Sequence, residues 1–403
     1  MPKKVLLAAV AFFLVTLAIG AYIMLTRNTG PEGETPTESE NYFPFGPGSS
    51  NRPPVTEPTD EVETPNATVI PVAAVVRLTS RPSTHGIAIE KGTSTAVRFV
   101  DRAQGHISEV DLSTGVVSRV SNTTMAKIQD VLWLNAGKSL VYQYLSDRNE
   151  LRSYTATITT QTSTSDTSTI KGSFLPVSLE SLTASPDLKK IFFIEYLNGG
   201  SRGVVANFDG TNRKEIFSSP ISEWIASWPE ANTIMITTKA ASGQQGFAYS
   251  LNANTGALRK VLGPGTALTT KANFGASHIA FTDNASSLFI YDVKKDTVIN
   301  TGLKTFVDKC VWAKSVRSKI YCAVPQRVVS GRMPDNWYQG RVSYSDTLYE
   351  INALTGDNTP IPDYKNISSK NIDASIVSLS PNEKYLLITN KKDASLWSVN
   401  LGL

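Results

Sequence analysis

The sequence is poor in the residues that most often carry chemistry. Two cysteines in 403 residues exclude a disulfide-built scaffold and a cysteine-rich metal site. Three histidines, His85, His106 and His278, stand far apart without ligand spacing. They read as structural or surface side chains, and no metal is expected. No nucleophile elbow of the α/β-hydrolase kind is read from the sequence. The Gly-rich stretches 200–203 and 263–268 lack the strand-to-helix setting of a phosphate loop. Charged residues make up only 18% of the chain, and no dense Lys/Arg run marks a nucleic-acid partner. These shortages leave no catalytic residue and no cofactor to be expected, and they turn attention to binding.

What charge there is lies unevenly. The formal net charge is +4. Residues 1–27 carry Lys3, Lys4 and Arg27, or +3. Residues 28–70 carry Glu32, Glu34, Glu38, Glu40, Glu57, Asp60, Glu61 and Glu63 against Arg52, or −7, which leaves +8 on the remainder. A basic folded part on an acidic tether favours anionic partners; plain solubility is the simpler explanation.

One long apolar run is present, VLLAAVAFFLVTLAIGAYIML at 5–25. As a helix rising 1.5 Å per residue it spans the ~30 Å core of a bilayer, and it has no polar stripe to suit a soluble core. Lys3 and Lys4 precede it and only Arg27 follows closely. The positive-inside rule then puts the amino end in the cytoplasm and the rest outside. An uncleaved anchor is one reading; a signal peptide cut near Ala18-Ile19-Gly20 is the other. Residues 28–70, with eight prolines and few apolar side chains, are expected to form a disordered linker.

The remainder is repetitive. TASPDLKKIFFIE from Thr183 and SLSPNEKYLLITN from Ser378 share a small residue, Ser-Pro, an acid or amide, a Lys and an apolar run. WLNAGKSLVYQY from Trp133, SWPEANTIMITT from Ser227, NFGASHIAFTD from Asn273 and VWAKSVRSKIYCAV from Val311 are looser versions. Each is followed by a second turn of Asp, Asn, Thr or Gly between strands, as in VDLSTGVVSRV, LNANTGALRKV and INALTGDNTPI. Gly and Asn tolerate the positive φ of tight hairpins. Four antiparallel strands every ~40–50 residues describe a propeller blade. Seven units are expected, starting near residues 80, 127, 179, 222, 267, 305 and 371, with six or eight left open. The last unit offers three strands before Leu403, and VAAVVRLTS at 72–80 has no partner in the first. Pairing the two would close the ring and leave no bare sheet edge.

Ser185-Pro186-Asp187-Leu188-Lys189-Lys190-Ile191 and Ser380-Pro381-Asn382-Glu383-Lys384-Tyr385-Leu386 resemble the SPDGKxI repeat of TolB-like, WD40-like propellers. Arg77-Leu78-Thr79 is similar to the strand ending that closes such a blade. The turn glycine is missing in both best copies. The resemblance implies a periplasmic or extracytoplasmic binding platform and carries over no catalytic residue.

Three groups of residues stand out as candidates. Asp187, Asp209 and Asp283 could bind calcium, although Asp in a turn usually bonds its own backbone. With a hairpin turn at Val316, Cys310 falls opposite Cys322 and Trp312 opposite Ile320. The two sulfurs then form either a disulfide or a pair of buried thiols. The sixth unit carries an insertion, PQRVVSGRMPDNWYQGRVSYSD at 325–346. It combines Trp337, Tyr338 and Tyr344 with Arg327, Arg332, Arg341, Asp335 and Asp346, and aromatics with Arg are common anchors of binding surfaces. The alternative is a loop that folds its aromatics over a blade edge or the central channel.

The sequence therefore predicts an all-β, seven-bladed β-propeller at 71–403. A linker at 28–70 and a transmembrane helix with a short cytoplasmic end at 1–27 precede it. The expected function is a non-enzymatic, membrane-anchored platform for a protein or peptide partner, with membrane contact through residues 5–25. The alternatives are a glycan lyase or hydrolase working in the central channel, and a structural spacer.

Overall fold

The computed structural model describes residues 75–159, 168–176, 179–283, 286–361 and 370–402. All belong to the compact unit Pro65–Leu403. The apolar run 5–25 and the segment 28–70, expected to form an anchor and a linker, lie outside the described residues. Among the described residues no helix is long and apolar enough to cross a membrane.

The described residues fold into seven four-stranded antiparallel sheets. Their first strands are Ile87–Lys91, Ile128–Leu134, Leu179–Ala184, Trp224–Glu230, Thr269–Ala272, Cys310–Trp312 and Ala374–Leu379. These strands neighbour one another from blade to blade and so face the axis of the ring. The second strands are the most apolar, as in Ile191–Ile194 and Leu386–Ile388, because each blade is packed on both faces. The core is accordingly divided among the blade interfaces. Blades 6 and 7 share one cluster around Leu348, Ile372 and Leu386. Blades 5 and 6 share another around Ile290, Trp312 and Cys322.

The seventh sheet is completed by the strand Val75–Arg77, which pairs with Leu396–Asn400 in the register Val75↔Val399, Arg77↔Trp397. Leu78 then donates its N–H to the Leu396 carbonyl at 2.7 Å. Its side chain joins Val97 and Leu387 in the cluster between blades 7 and 1. The ring is thus closed by hydrogen bonds between the two ends of the folded unit.

The repeat turns explain the sequence pattern. In the Ser-Pro turns, the Ser185 hydroxyl donates to Asp187 at 2.6 Å and accepts from the Lys190 N–H at 2.9 Å. Ser380 treats Asn382 and Tyr385 in the same way. The position after the acid or amide, where the SPDGKxI repeat has glycine, is left-handed in both: Leu188 has φ 58° and Glu383 φ 57°. An L side chain there costs roughly 1–2 kcal/mol. Glu383 offsets this through its carboxylate, which accepts the N–H groups of Lys314 and Ser315 and so ties blade 7 to blade 6. In the second set of turns, Asp111, Asn252, Asp292 and Asn352 accept backbone N–H groups two residues on. Gly256 and Gly356 are required there, since a Cβ would meet the Ile216 or Asn300 carbonyl of the preceding blade at 2.5 and 2.8 Å.

Candidate binding site

First-to-second and third-to-fourth strand turns lie at one end of the ring. The second-to-third loops and the connections between blades lie at the other, and the insertion is the second-to-third loop of blade 6. It is anchored on three charged residues from separate parts of that end. Lys309 closes a short 3-10 turn, Val307–Lys309, between blades 5 and 6. Asp346 begins the strand Asp346–Asn352. Asp373 immediately precedes the first strand of blade 7.

All three side chains are sealed from solvent. The Lys309 ammonium lies 2.7 Å from Asp346 Oδ2 and 2.5 Å from Asp373 Oδ1. Asp373 also accepts the Trp337 indole N–H at 3.1 Å, the Tyr344 N–H at 3.0 Å and the Ser343 hydroxyl at 3.2 Å. Asp346 accepts the Ala374 N–H at 2.7 Å. The ammonium sits 5.1 Å from the ring centres of both Trp337 and Tyr344. Two carboxylates share one cation, so burial pushes the Asp346 carboxyl up, against the pull of Lys309. Burial and the same two carboxylates also raise the Tyr344 phenol.

The insertion reaches its neighbours through further contacts. Trp337 stacks on Phe306 with centroids 4.8 Å apart and planes 10° apart. Phe306, Met333, Trp337 and Tyr344 form a small core of their own. Asp335 accepts the Ser242 N–H of a blade 4 loop at 3.0 Å. Tyr338 donates to Asp308 at 2.9 Å, and its carbonyl accepts Lys391 of blade 7 at 3.3 Å. The loop is therefore a strap across blades 4 to 7.

The candidate residues divide into two sets. Trp337 and Tyr344 are only 2% and 4% exposed, so they fill the blade edge and offer no contact surface. This corrects the expectation that the loop's aromatics act together as anchors: the indole N–H is drawn inward by Asp373. Tyr338, at 41%, remains open, and Arg327, Arg332 and Arg341 are exposed. Those three guanidinium groups have no ion-pair or hydrogen-bond partner among the described residues. Asp335 is half-buried and Asp346 belongs to the anchor.

Cys310 and Cys322 are directly paired and joined by a disulfide, with Cα atoms 4.0 Å apart, and Trp312 stands opposite Ile320. Beside them the Lys271 ammonium donates to the Cys310 carbonyl at 2.6 Å. Burial lowers its proton affinity, against the charge of Asp308.

The other candidates stay apart. His85 pairs with Asp130 at 2.9 Å, His106 with Thr124 and His278 with Ser277. Asp187 and Asp209 are engaged in their own turns, and Asp283 leaves one oxygen buried and unpartnered. Among the described residues no three His, Cys, Asp or Glu side chains converge as a metal site would require. Residues 199–203, GGSRG, do fit Gly-x-Ser-x-Gly, contrary to the expectation that no such elbow occurs. However, Ser201 lies on the strand Gly200–Asn207, is 1% exposed and donates to the Ile221 carbonyl. With no helix following and no histidine bonded, it is not a nucleophile elbow.

Lys309 and Asp373 do not stand out in the sequence. The only signal is a charge placed directly before an apolar first strand, in DKCVW and IDASIV.

No protein-family model matches the chain, and no curated protein matches it. Among solved structures, an oligogalacturonate lyase from Vibrio parahaemolyticus is similar over 81% of this chain and 93% of that one, with a TM-score of 0.53 and 11% identity. The tricorn protease is similar over 85% of this chain but 35% of its own, with a TM-score of 0.53 and 10% identity. TolB from Acinetobacter baumannii is 14% identical over 69% of this chain and 63% of that one, with a TM-score of 0.41. The likeness at these identities is one of fold.

Two outcomes follow for the strap. Trp337→Ala should lower the unfolding free energy by about 3–5 kcal/mol, whereas Arg341→Ala should change it by less than ~0.5 kcal/mol; urea unfolding of each variant measures both. Lys309→Met should cost about 3–5 kcal/mol near neutral pH, because it leaves two carboxylates buried without their cation. The Asp346 carboxyl, already pushed up by burial, then holds its proton in the folded state at pH values where the unfolded chain has released it. The folded state binds more protons, so the variant's stability falls as pH rises. Its deficit relative to wild type should be smaller at pH 4.5 than at pH 8, and an equal deficit at both would contradict this.

Proposed function

We propose that the chain is a membrane-anchored, extracytoplasmic propeller that serves as a non-enzymatic binding platform for a protein or peptide partner. The reading is carried by the outer surface of the blade 6 strap. There Arg327, Arg332 and Arg341, with the open face of Tyr338, project from a loop whose underside is fixed by a buried ion cluster. Binding groups held on a rigid base lose little freedom when a partner docks. Guanidinium groups without internal partners suit an acidic surface. The apolar run 5–25, preceded by Lys3 and Lys4, supports the anchor, and the acidic, Pro-rich segment 28–70 would set the reach. The repeats are read as TolB-type.

An enzyme working at the ring's axis is the second reading. Its one specific support is the His85–Asp130 pair, the only histidine–carboxylate hydrogen bond among the described residues.

The test uses the full chain, solubilised from membranes, as bait against an extract of its own envelope. Beside it runs a variant with Arg327→Ala, Arg332→Ala and Arg341→Ala. A partner held by wild type and lost by the variant, at unchanged melting temperature, is expected. Equal retention by both, or no partner at all, would refute the platform reading at this site.

A further inference from the structure

A second cationic feature lies at the ring seam, and no residue of the strap lines it. Where the closing strand meets blade 1, a cavity of about 590 Å³ is lined by Arg77, Arg81 and Arg119. A second cavity of about 490 Å³ adjoins it and is lined by Arg81, Arg102 and Lys127. Arg81, Pro82, Asp101 and Gln104 border both. Two chain crossings hold this wall in place. Arg102 donates its N–H to the Pro82 carbonyl, and its Nε to the Ser83 carbonyl at 3.1 Å.

The positive charge here is largely uncompensated. Asp101 is the one acid lining either cavity, and one of its carboxylate oxygens already accepts the N–H groups of Ala103 and Gln104. Arg77 is paired with Asp393 at 3.0 Å, and Arg102 lies within reach of the Asp130 charge. The side-chain charges of Arg81, Arg119 and Lys127 have no partner among the described residues. His106 reports the same field. Burial, and then the charge of Arg119, hold its ring below its ordinary value, against the pull of Asp101. Cations gathered in one concavity repel each other and concentrate anions.

The rest of the lining narrows the ligand. Ser80, Ser108 and Gln104 supply open hydroxyl and amide groups, while Thr79 and Ser83 are buried and bonded to each other. Phe99, the one aromatic ring of the larger cavity, is 9% exposed and presents no free face on which a base could stack. Arginines interleaved with hydroxyls suit a ligand that carries both anionic groups and hydroxyls. Each cavity falls in the volume range of small-ligand sites.

We propose that the two cavities form one groove that binds an anionic oligosaccharide, with Arg81 and Arg119 contacting its acidic groups and the hydroxyl-bearing side chains its sugar hydroxyls. The site is independent of the strap and of the partner assigned to it.

Calorimetry on the full chain tests this with four probes: a sulfated tetrasaccharide, a tetrasaccharide carrying only carboxylates, a neutral tetrasaccharide and hexa-aspartate. At least one acidic sugar should bind, more weakly as salt rises, and the neutral sugar should not. Which acidic sugar binds better identifies the anionic group. Arg81→Ala with Arg119→Ala should weaken binding by roughly tenfold or more at an unchanged melting temperature, because both side chains are exposed and unpartnered. The His106 ring resonances should titrate at higher pH in the complex, since the bound anion offsets the Arg119 charge. Three results would overturn the proposal: no binding of either acidic sugar, undiminished binding by the double variant, or tighter binding of hexa-aspartate.

Discussion

One ammonium group, that of Lys309, holds the loop-bearing end of this propeller together. It is shared between Asp346 on blade 6 and Asp373 at the entry to blade 7, with no solvent access to any of the three. Removing three charges from water costs several kcal/mol for each. Geometry lessens that cost, because every carboxylate oxygen involved has a donor: the ammonium, the Trp337 indole, and the N–H groups of Tyr344 and Ala374. A network so fully satisfied admits one arrangement of the chain around it. The strap therefore follows from the cluster: where Asp373 points, Trp337 must go.

The consequence for function is a separation of roles within a single loop. Its inward side chains serve packing, and its outward guanidiniums are left for a partner. The disulfide Cys310–Cys322 braces the first two strands of the same blade, directly after Lys309. Its closed loop is short, and such a link contributes on the order of 3 kcal/mol by restricting the unfolded chain. The floor of the strap is thus fixed covalently as well as electrostatically. The seam between blades 7 and 1 differs in kind. There the ring is closed by backbone pairing, and the charges gathered around the closing strand are left largely unmatched.

The architecture was readable in the sequence because it rests on local, repeated signals. The Ser-Pro turns, the Asn/Asp-Thr-Gly turns and the apolar second strands recur at blade spacing, and each is set by residues within five positions of one another. The seven first strands begin within seven residues of the expected unit starts. The Cys310–Cys322 register came from one hairpin in the same way. The anchor was not readable, because Lys309, Trp337, Asp346 and Asp373 come from four places in the chain and no spacing rule links them. An exposed Trp and a buried Trp are identical in sequence, and only the distant Asp373 decides between them. The seam cavities were hidden for the same reason: Arg81, Arg102 and Arg119 are unremarkable until the closing strand brings them to one wall.

The central claim is that the strap is part of the rigid core. Amide hydrogen exchange of the full chain, followed by NMR or mass spectrometry, tests it most directly through the Tyr344 N–H and the Trp337 indole N–H. If the Lys309 cluster holds the strap in place, both protons exchange only through global unfolding, at rates matching the Leu386–Ile388 core of blade 7. If both exchange through local opening, far faster than that core, the claim fails and the strap is a loop that merely rests on the propeller.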